Sequence, residues 1–208
     1  MLDQILQDPA QRIPLTVAAF ILSFCVHEFF HAFVANKLGD PTAKNLGRVT
    51  LNPIAHMDPI GTVLPILLLV FGSPFVFGWG KPVPFNPMYF KKPKRDTALV
   101  SLAGPGSNIL LAIIASLFIR IVGIDSLPGA FLYFLTVYSL ILGFFNFIPL
   151  GPLDGNKIVY GFLPMNLAIQ WQEIQRYGMF ILLFLIFTNI TSSILSPLLV
   201  ISMKLLGL

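Results

Sequence analysis

The sequence predicts an all-α polytopic membrane protein: a helical bundle with short β-strand and loop elements at a cytoplasmic interface and one re-entrant segment. Three observations lead there. Of the 208 residues, 56% are hydrophobic and only 11% are charged, whereas soluble domains carry about a quarter charged residues. The mean hydropathy is +0.83. The apolar residues gather in long runs, at about 14–36, 60–77, 98–122, 130–148 and 177–206, with polar, proline-rich stretches between them. Runs of this kind suit helices of ~20 residues that cross a bilayer. No fixed-period repeat or low-complexity tail divides the chain, so residues 1–208 read as one domain, with a core of about 14–160 and an additional C-terminal helix in 177–206.

Taken in order, the N-terminal "MLDQILQDPAQRIP" has acids ahead of its first Arg and no small-residue cleavage site. A cleavable signal peptide is therefore not expected. The run 14–36 is the first span. In the polar stretch that follows, "GRVTLNP" has the β-branched content of a short strand. The run 60–77 contains Gly61, Pro65, Gly72 and Pro74 and is short, so it is expected to dip in and return. Pro82, Pro84, Pro87 and Pro93 forbid a helix just before the next span, and "GKPVPFNP" fits an edge strand or extended loop. The runs 98–122 and 130–148 are two further spans. Pro149 and Pro152 must break the second of these. The last run exceeds one crossing, and Pro197 is expected to kink or divide it.

Charge gives the orientation. Lys81, Lys91, Lys92, Lys94 and Arg95 crowd one loop, and Lys37, Lys44 and Arg48 another, whereas the link 123–129 holds only Asp125. Basic loops stay cytoplasmic, which puts both on one side and favours a 60–77 segment that returns without crossing; the alternative is a full span that breaks the charge rule. The net charge of +4 fits loops facing anionic headgroups and gives no reason to expect nucleic acid. Cys25 is the single cysteine, so no internal disulfide forms. Its apolar surroundings suit a small hydrophobe.

The chemistry concentrates in "FCVHEFFHAFVA", residues 24–35. His27 and His31, four apart, lie one above the other on a helix face. Two imidazoles so placed can hold one zinc ion, and Glu28 beside them can take a proton from water at that zinc. An ionisable residue at mid-span costs ~2.5–3.5 kcal/mol on insertion scales, so three on one span indicate function. A third ligand is needed. A longer His motif is excluded, because Val34 and Lys37 stand where it needs Gly and His. The open candidates are Asp40, His56, Asp58, Asp96, Asp125, Asp154 and Glu173. Asp40 and Asp58 precede prolines and look like turn formers. His56 competes as a ligand or as an interfacial loop histidine. Asp154 lies in "FFNFIPLGPLDGNKI", where a broken helix end could present a buried carboxylate.

These stretches together resemble the site-2 protease family of intramembrane zinc metalloproteases. The likeness rests on His27-Glu28-Phe29-Phe30-His31, on Asn146-Phe147-Ile148-Pro149 followed by Leu153-Asp154-Gly155, and on Gly104-Pro105-Gly106-Ser107-Asn108. It covers about 14–160. It implies hydrolysis of peptide bonds of membrane-protein substrates within or near the bilayer. It further implies His27, His31 and Asp154 as zinc ligands, Glu28 as general base and acid, and Asn146 and Asn108 as substrate or oxyanion contacts. Members with a PDZ domain between the motifs, or a nucleotide-sensing domain after them, are not matched; the likeness is to compact prokaryotic members. The expected setting is a prokaryotic cell membrane, crossed several times, with the site toward the cytoplasm. The expected partners are a transmembrane protein substrate and the lipid bilayer. Two other readings use the same residues: a transporter or metal-binding scaffold built on the polar pocket, and a non-cleaving relative that binds membrane proteins. An intact Glu28 argues against the second of these.

Overall fold

The computed structural model describes residues 2–61, 67 and 80–208. The expected re-entrant segment, 60–77, lies almost wholly outside them. The described helices are α1 (Leu2–Gln7), α2 (Pro9–Lys37), α3 (Thr42–Asn45), α4 (Pro53–His56), α5 (Pro93–Val122), α6 (Leu127–Phe147), α7 (Asp154–Phe162), α8 (Met165–Gln175), α9 (Gly178–Phe187) and α10 (Ile190–Leu206). Of these, α2, α5 and α6 are each long and apolar enough to cross a membrane, and α9 with α10 could form one bent span.

α2, α4 and α6 start where the sequence provides side-chain caps. Asp8 accepts from the Ala10 N–H at 2.9 Å ahead of Pro9, and Ser126 accepts from Gly129 ahead of α6. At the start of α5, Asp96 accepts from the Lys92 N–H at 2.9 Å.

Packing places α5 against α2, α6 and α7. The faces in contact are built of small residues: Ala19, Ser23, Ala32 and Ala35 on α2, and Ala98, Ser101, Gly104, Ala112 and Ala115 on α5. Small side chains let backbones approach where the solvent is lipid and apolar burial gives little net drive. Large residues point outward instead, among them Val17, Phe20, Leu110, Leu117 and Phe118. α5 runs antiparallel to α2, since Val100 meets His31 while Asn108 meets His27. Farther from the site, Ala19, Ala115, Ala130 and Phe134 close the core with Ile5 of α1.

Two expectations are corrected. No strand ladder forms among the described residues; a single antiparallel bridge joins Met57 to Gly80. In "GRVTLNP" the turn ends directly in α4, because Asn52 caps the Ile54 N–H and Pro53 occupies the first helical position. "GKPVPFNP" is extended as expected. However, Pro82, Pro84 and Pro87 have no N–H to give, and those of Lys81, Val83 and Asn86 go to His56, Glu28 and Asp40. The second correction concerns Pro197, which sits inside α10. The bend of 74° falls at Thr188–Asn189. Asn189 adopts a left-handed φ of 58° there, a conformation that Asn tolerates better than most side chains.

Candidate metal centre

His27, His31 and Asp154 meet, although 123 positions separate His31 from Asp154. The two imidazoles come from adjacent turns of α2. Asp154 comes from the first turn of α7, after the chain has turned through 148–153. That turn is held by Gln175 of α8, whose Oε1 accepts from the Gly151 N–H at 2.7 Å and whose Nε2 donates to the Pro149 carbonyl at 3.2 Å. Trp171, also on α8, donates to the Asn156 side chain at 2.8 Å and steadies the start of α7.

Two glycines allow the close approach. A Cβ at Gly155 would lie 2.3 Å from the Ile148 carbonyl oxygen and 2.4 Å from that of Phe147, so only glycine lets α7 begin directly against the end of α6. A Cβ at Gly104 would lie 2.3 Å from His31 Nε2 and 2.7 Å from His27 Cε1. α5 therefore crosses the histidine pair at a point where it has no side chain.

The imidazoles are fixed from behind. His31 Nδ1 lies 2.7 Å from the Val100 carbonyl. A carbonyl only accepts, so the Nδ1 carries the proton. Asn108 donates through Nδ2 to the carbonyl and hydroxyl oxygens of Ser23, at 3.0 and 2.8 Å, which leaves its Oδ1 to accept from His27 Nδ1 at 2.6 Å. Ser139 of α6 donates to the Ser23 hydroxyl at 3.1 Å. All of Ser23, Asn108 and Ser139 are fully buried.

With the Nδ1 protons assigned, both Nε2 atoms present lone pairs. They lie 3.0 Å apart, and Asp154 Oδ2 lies 3.1 Å from one and 3.2 Å from the other. Three acceptors so close repel one another unless a proton or a cation sits among them. Tetrahedral bonds of ~2.0–2.1 Å set ligand atoms ~3.3 Å apart, so the spacing and the mixed nitrogen and oxygen donors fit a zinc-like ion. Outer groups that fix the far ring nitrogen are a usual accompaniment of metal-binding histidines.

Glu28 is buried beside the trio, 8% exposed, and its Oε2 accepts from the Val83 N–H at 3.1 Å. Of the other sequence candidates, Asp40 is a turn former that also holds the extended segment: it accepts from Thr42 N–H at 2.9 Å and from Asn86 N–H at 2.6 Å. Asp58 accepts from Gly61 N–H at 2.8 Å. His56 is buried away from the trio and contacts the Thr50 carbonyl through Nε2 at 2.9 Å. Asp125 accepts from the Leu2 N–H, and Glu173 is exposed on α8. Asn146 spends one amide hydrogen on the Leu142 carbonyl one turn back, at 2.9 Å. Sequence reasoning missed Ser23, Ser139, the Val100 carbonyl and the Val83 N–H. The first two could have been suspected as buried hydroxyls in spans; the backbone groups leave no mark in a sequence.

A membrane helical bundle whose interior brings two histidines and a carboxylate to one point is a membrane-embedded metal-site protein. Comparisons place it further. The sequence model of Peptidase family M50 matches residues 124–188, a stretch that contains Asp154. The "Putative zinc metalloprotease YwhC" of Bacillus subtilis is 40% identical over 207 residues, covering 95% of this chain and 91% of that protein. Rip2 of Mycolicibacterium smegmatis, named in the same words, is 32% identical over 187 residues, covering 84% of this chain and 67% of that protein. No solved structure matches. The chain belongs to peptidase family M50, the site-2 protease family.

Proposed function

We propose that this protein is an intramembrane zinc metalloprotease that cuts membrane-protein substrates within or near the bilayer. The observation that supports this most is the convergence of His27 Nε2, His31 Nε2 and Asp154 Oδ2 within 3.0–3.2 Å, next to a buried Glu28. His27, His31 and Asp154 would hold the ion. When bound there, zinc supplies Lewis acidity, polarising a carbonyl and making water acidic near neutral pH.

The chain's own residues do the rest. Asn108 and the Val100 carbonyl keep both Nε2 lone pairs aimed inward. Glu28 takes a proton from the attacking water and returns it to the leaving amine. The Val83 N–H fixes one carboxylate oxygen of Glu28 and so sets which way the other faces. The packed interior of α2, α5 and α6 leaves these side chains little exposed, at 5% for His27, 10% for His31 and 13% for Asp154. Asn108 has no amide hydrogen left for an oxyanion, so it acts as a positioning residue. Asn146, near the end of α6, keeps the role of substrate contact.

A substrate helix hides its peptide bonds in its own hydrogen bonds and must unwind to be cut. The segment 80–87 is extended beside Glu28 and is the surface on which an unwound stretch would lie. Its N–H groups at Lys81, Val83 and Asn86 are taken, so its carbonyls and the Phe85 N–H would do the holding. Five basic residues at 81–95 favour a cytoplasmic position for this edge and hence for the site.

The test is zinc content, measured on the purified detergent-solubilised chain. About one zinc per wild-type chain is expected for a site of this kind. Asp154→Ala should lose it or bind it far more weakly, and Glu28→Gln should keep it while abolishing cleavage. Zinc held equally by wild type and Asp154→Ala would remove Asp154 from the ligand set. A folded wild type without zinc would overturn the proposal in favour of an ion pathway or scaffold.

A further inference from the structure

Beside the metal centre lies a cavity of about 550 Å³ that the proposed chemistry does not use. Clefts of ~300–1,000 Å³ are of ligand size. One wall is the extended segment, through Val83 and Phe85; the others are the start of α5, through Lys94, and α7, through Asn156, Lys157 and Tyr160. It adjoins the catalytic groups on two sides. Val83 lines it and gives its N–H to Glu28. Lys157 lines it and stands three residues after Asp154, on the same face of α7. Whatever occupies it therefore lies a few residues from the scissile bond.

The charge of this cavity is one-sided. No Asp or Glu lines it, and no carboxylate pairs with Lys94 or Lys157 among the described residues. Both ammonium groups are instead placed over rings. Lys157 Nζ lies 4.9 Å from the centre of Phe85, and Lys94 Nζ lies 5.6 Å from that of Tyr160. Lys94 also donates to the Leu163 carbonyl at the end of α7. These contacts hold two cations at the cavity without neutralising either. The groups that face them are Asn156, Gln172, Thr97 and the Tyr160 hydroxyl, all uncharged.

We propose that this cavity binds an acidic side chain in the flank of the membrane-protein substrate, and that Lys94 and Lys157 select it. The proposal rests on the protease reading above. Complementary charge across an interface sets specificity and register more than raw affinity. Here the lysines attract an acid on the flank and disfavour Lys or Arg in the same place. Cytoplasmic flanks are usually rich in Lys and Arg, so an acidic flank would mark a minority of membrane proteins.

Binding of a fluorescent single-span peptide with an Asp/Glu-rich flank tests this. The comparison peptide has Asn/Gln in the same places, and the receptor is the full chain carrying Glu28→Gln, in uncharged detergent, so that nothing is cleaved. The acidic peptide should bind roughly tenfold tighter, the size expected of charge pairs in a partly desolvated cleft. Lys94→Gln with Lys157→Gln should abolish that preference. Lys91→Gln with Lys92→Gln, an equal change of charge in the loop just before α5, should leave it intact. Equal binding of both peptides, or an equal loss from both pairs of substitutions, would overturn the proposal. So would anionic-lipid vesicles displacing the peptide through the same two lysines, which would assign the cavity to a headgroup. Zinc content, measured on the same samples, reports separately on the protease reading: peptide preference without zinc would sink that reading and leave the cavity's selectivity standing.

Discussion

Asn108 shows how much one side chain can decide. Its amide has one acceptor and two donors, and each has a use: Oδ1 takes the His27 proton, and Nδ2 reaches both oxygens of Ser23. Replacing it with Ala leaves His27 free to turn and to carry its proton on either nitrogen. Loss of such an outer partner typically lowers metal affinity ~10–100-fold. Asn108→Ala should therefore bind zinc that much more weakly in competition with a chelator, with the fold retained. Unchanged affinity would mean that packing alone orients the ring. His27 and His31 were legible in the sequence because ionisable groups in an apolar run are costly and must be paired; Asp154 was one of several open candidates until the family resemblance singled it out. The purpose of Asn108 was not legible. Its motif pointed to this site, but the sequence could not tell an amide that meets substrate from one that is consumed by a histidine and a serine 85 positions away.

Helices decide which distant groups meet, and here their ends matter more than their middles. Asp154 reaches the histidines because α7 begins against the last carbonyls of α6, with Gly155 as the point of contact. Gly155→Ala puts a methyl group 2.3–2.4 Å from two carbonyl oxygens, so α7 must move away. The movement should be felt at its neighbour first. Zinc binding should fall nearly as far as in Asp154→Ala, whereas the contacts of α2 with α5 should survive. Cleavage of the 148–156 turn by a soluble protease should also quicken. Sequence reading found the long helices because apolar run length is a direct signal. It placed the last break at Pro197 and not at Asn189 because proline is the stronger local breaker. A helix that has already lost one hydrogen bond in lipid can still continue if neighbours re-satisfy the backbone, whereas an Asn in left-handed geometry cannot extend one. Strand content was overstated because the N–H groups that a ladder would use are spent elsewhere: Lys81 gives its own to the His56 carbonyl, and Val83 and Asn86 give theirs to the carboxylates of Glu28 and Asp40.

For the molecule as a whole, the metal centre joins elements that little else connects across the sequence. α2 brings His27 and His31 from early in the chain, and α7 brings Asp154 from beyond two spans. The same three acceptors that would hold an ion repel one another without it, at 3.0–3.2 Å in an interior that screens poorly. An ion that binds the folded chain and not the unfolded one stabilises it by ~2.7 kcal/mol at a free concentration a hundred times its dissociation constant. Chelation should thus lower the unfolding temperature of the wild type in detergent and loosen α7 and α8 before the α2–α5–α6 core, because the turn held by Gln175 and Trp171 would lose its anchor at Asp154. Asp154→Ala should already sit near the chelated wild type and respond little to chelator. Glu28→Gln should respond as the wild type does, since its carboxylate is not among the three. An equal response of Asp154→Ala and wild type would mean that the ion is held by α2 alone, and that α7 is positioned by Gly155 and Trp171 without help from the metal.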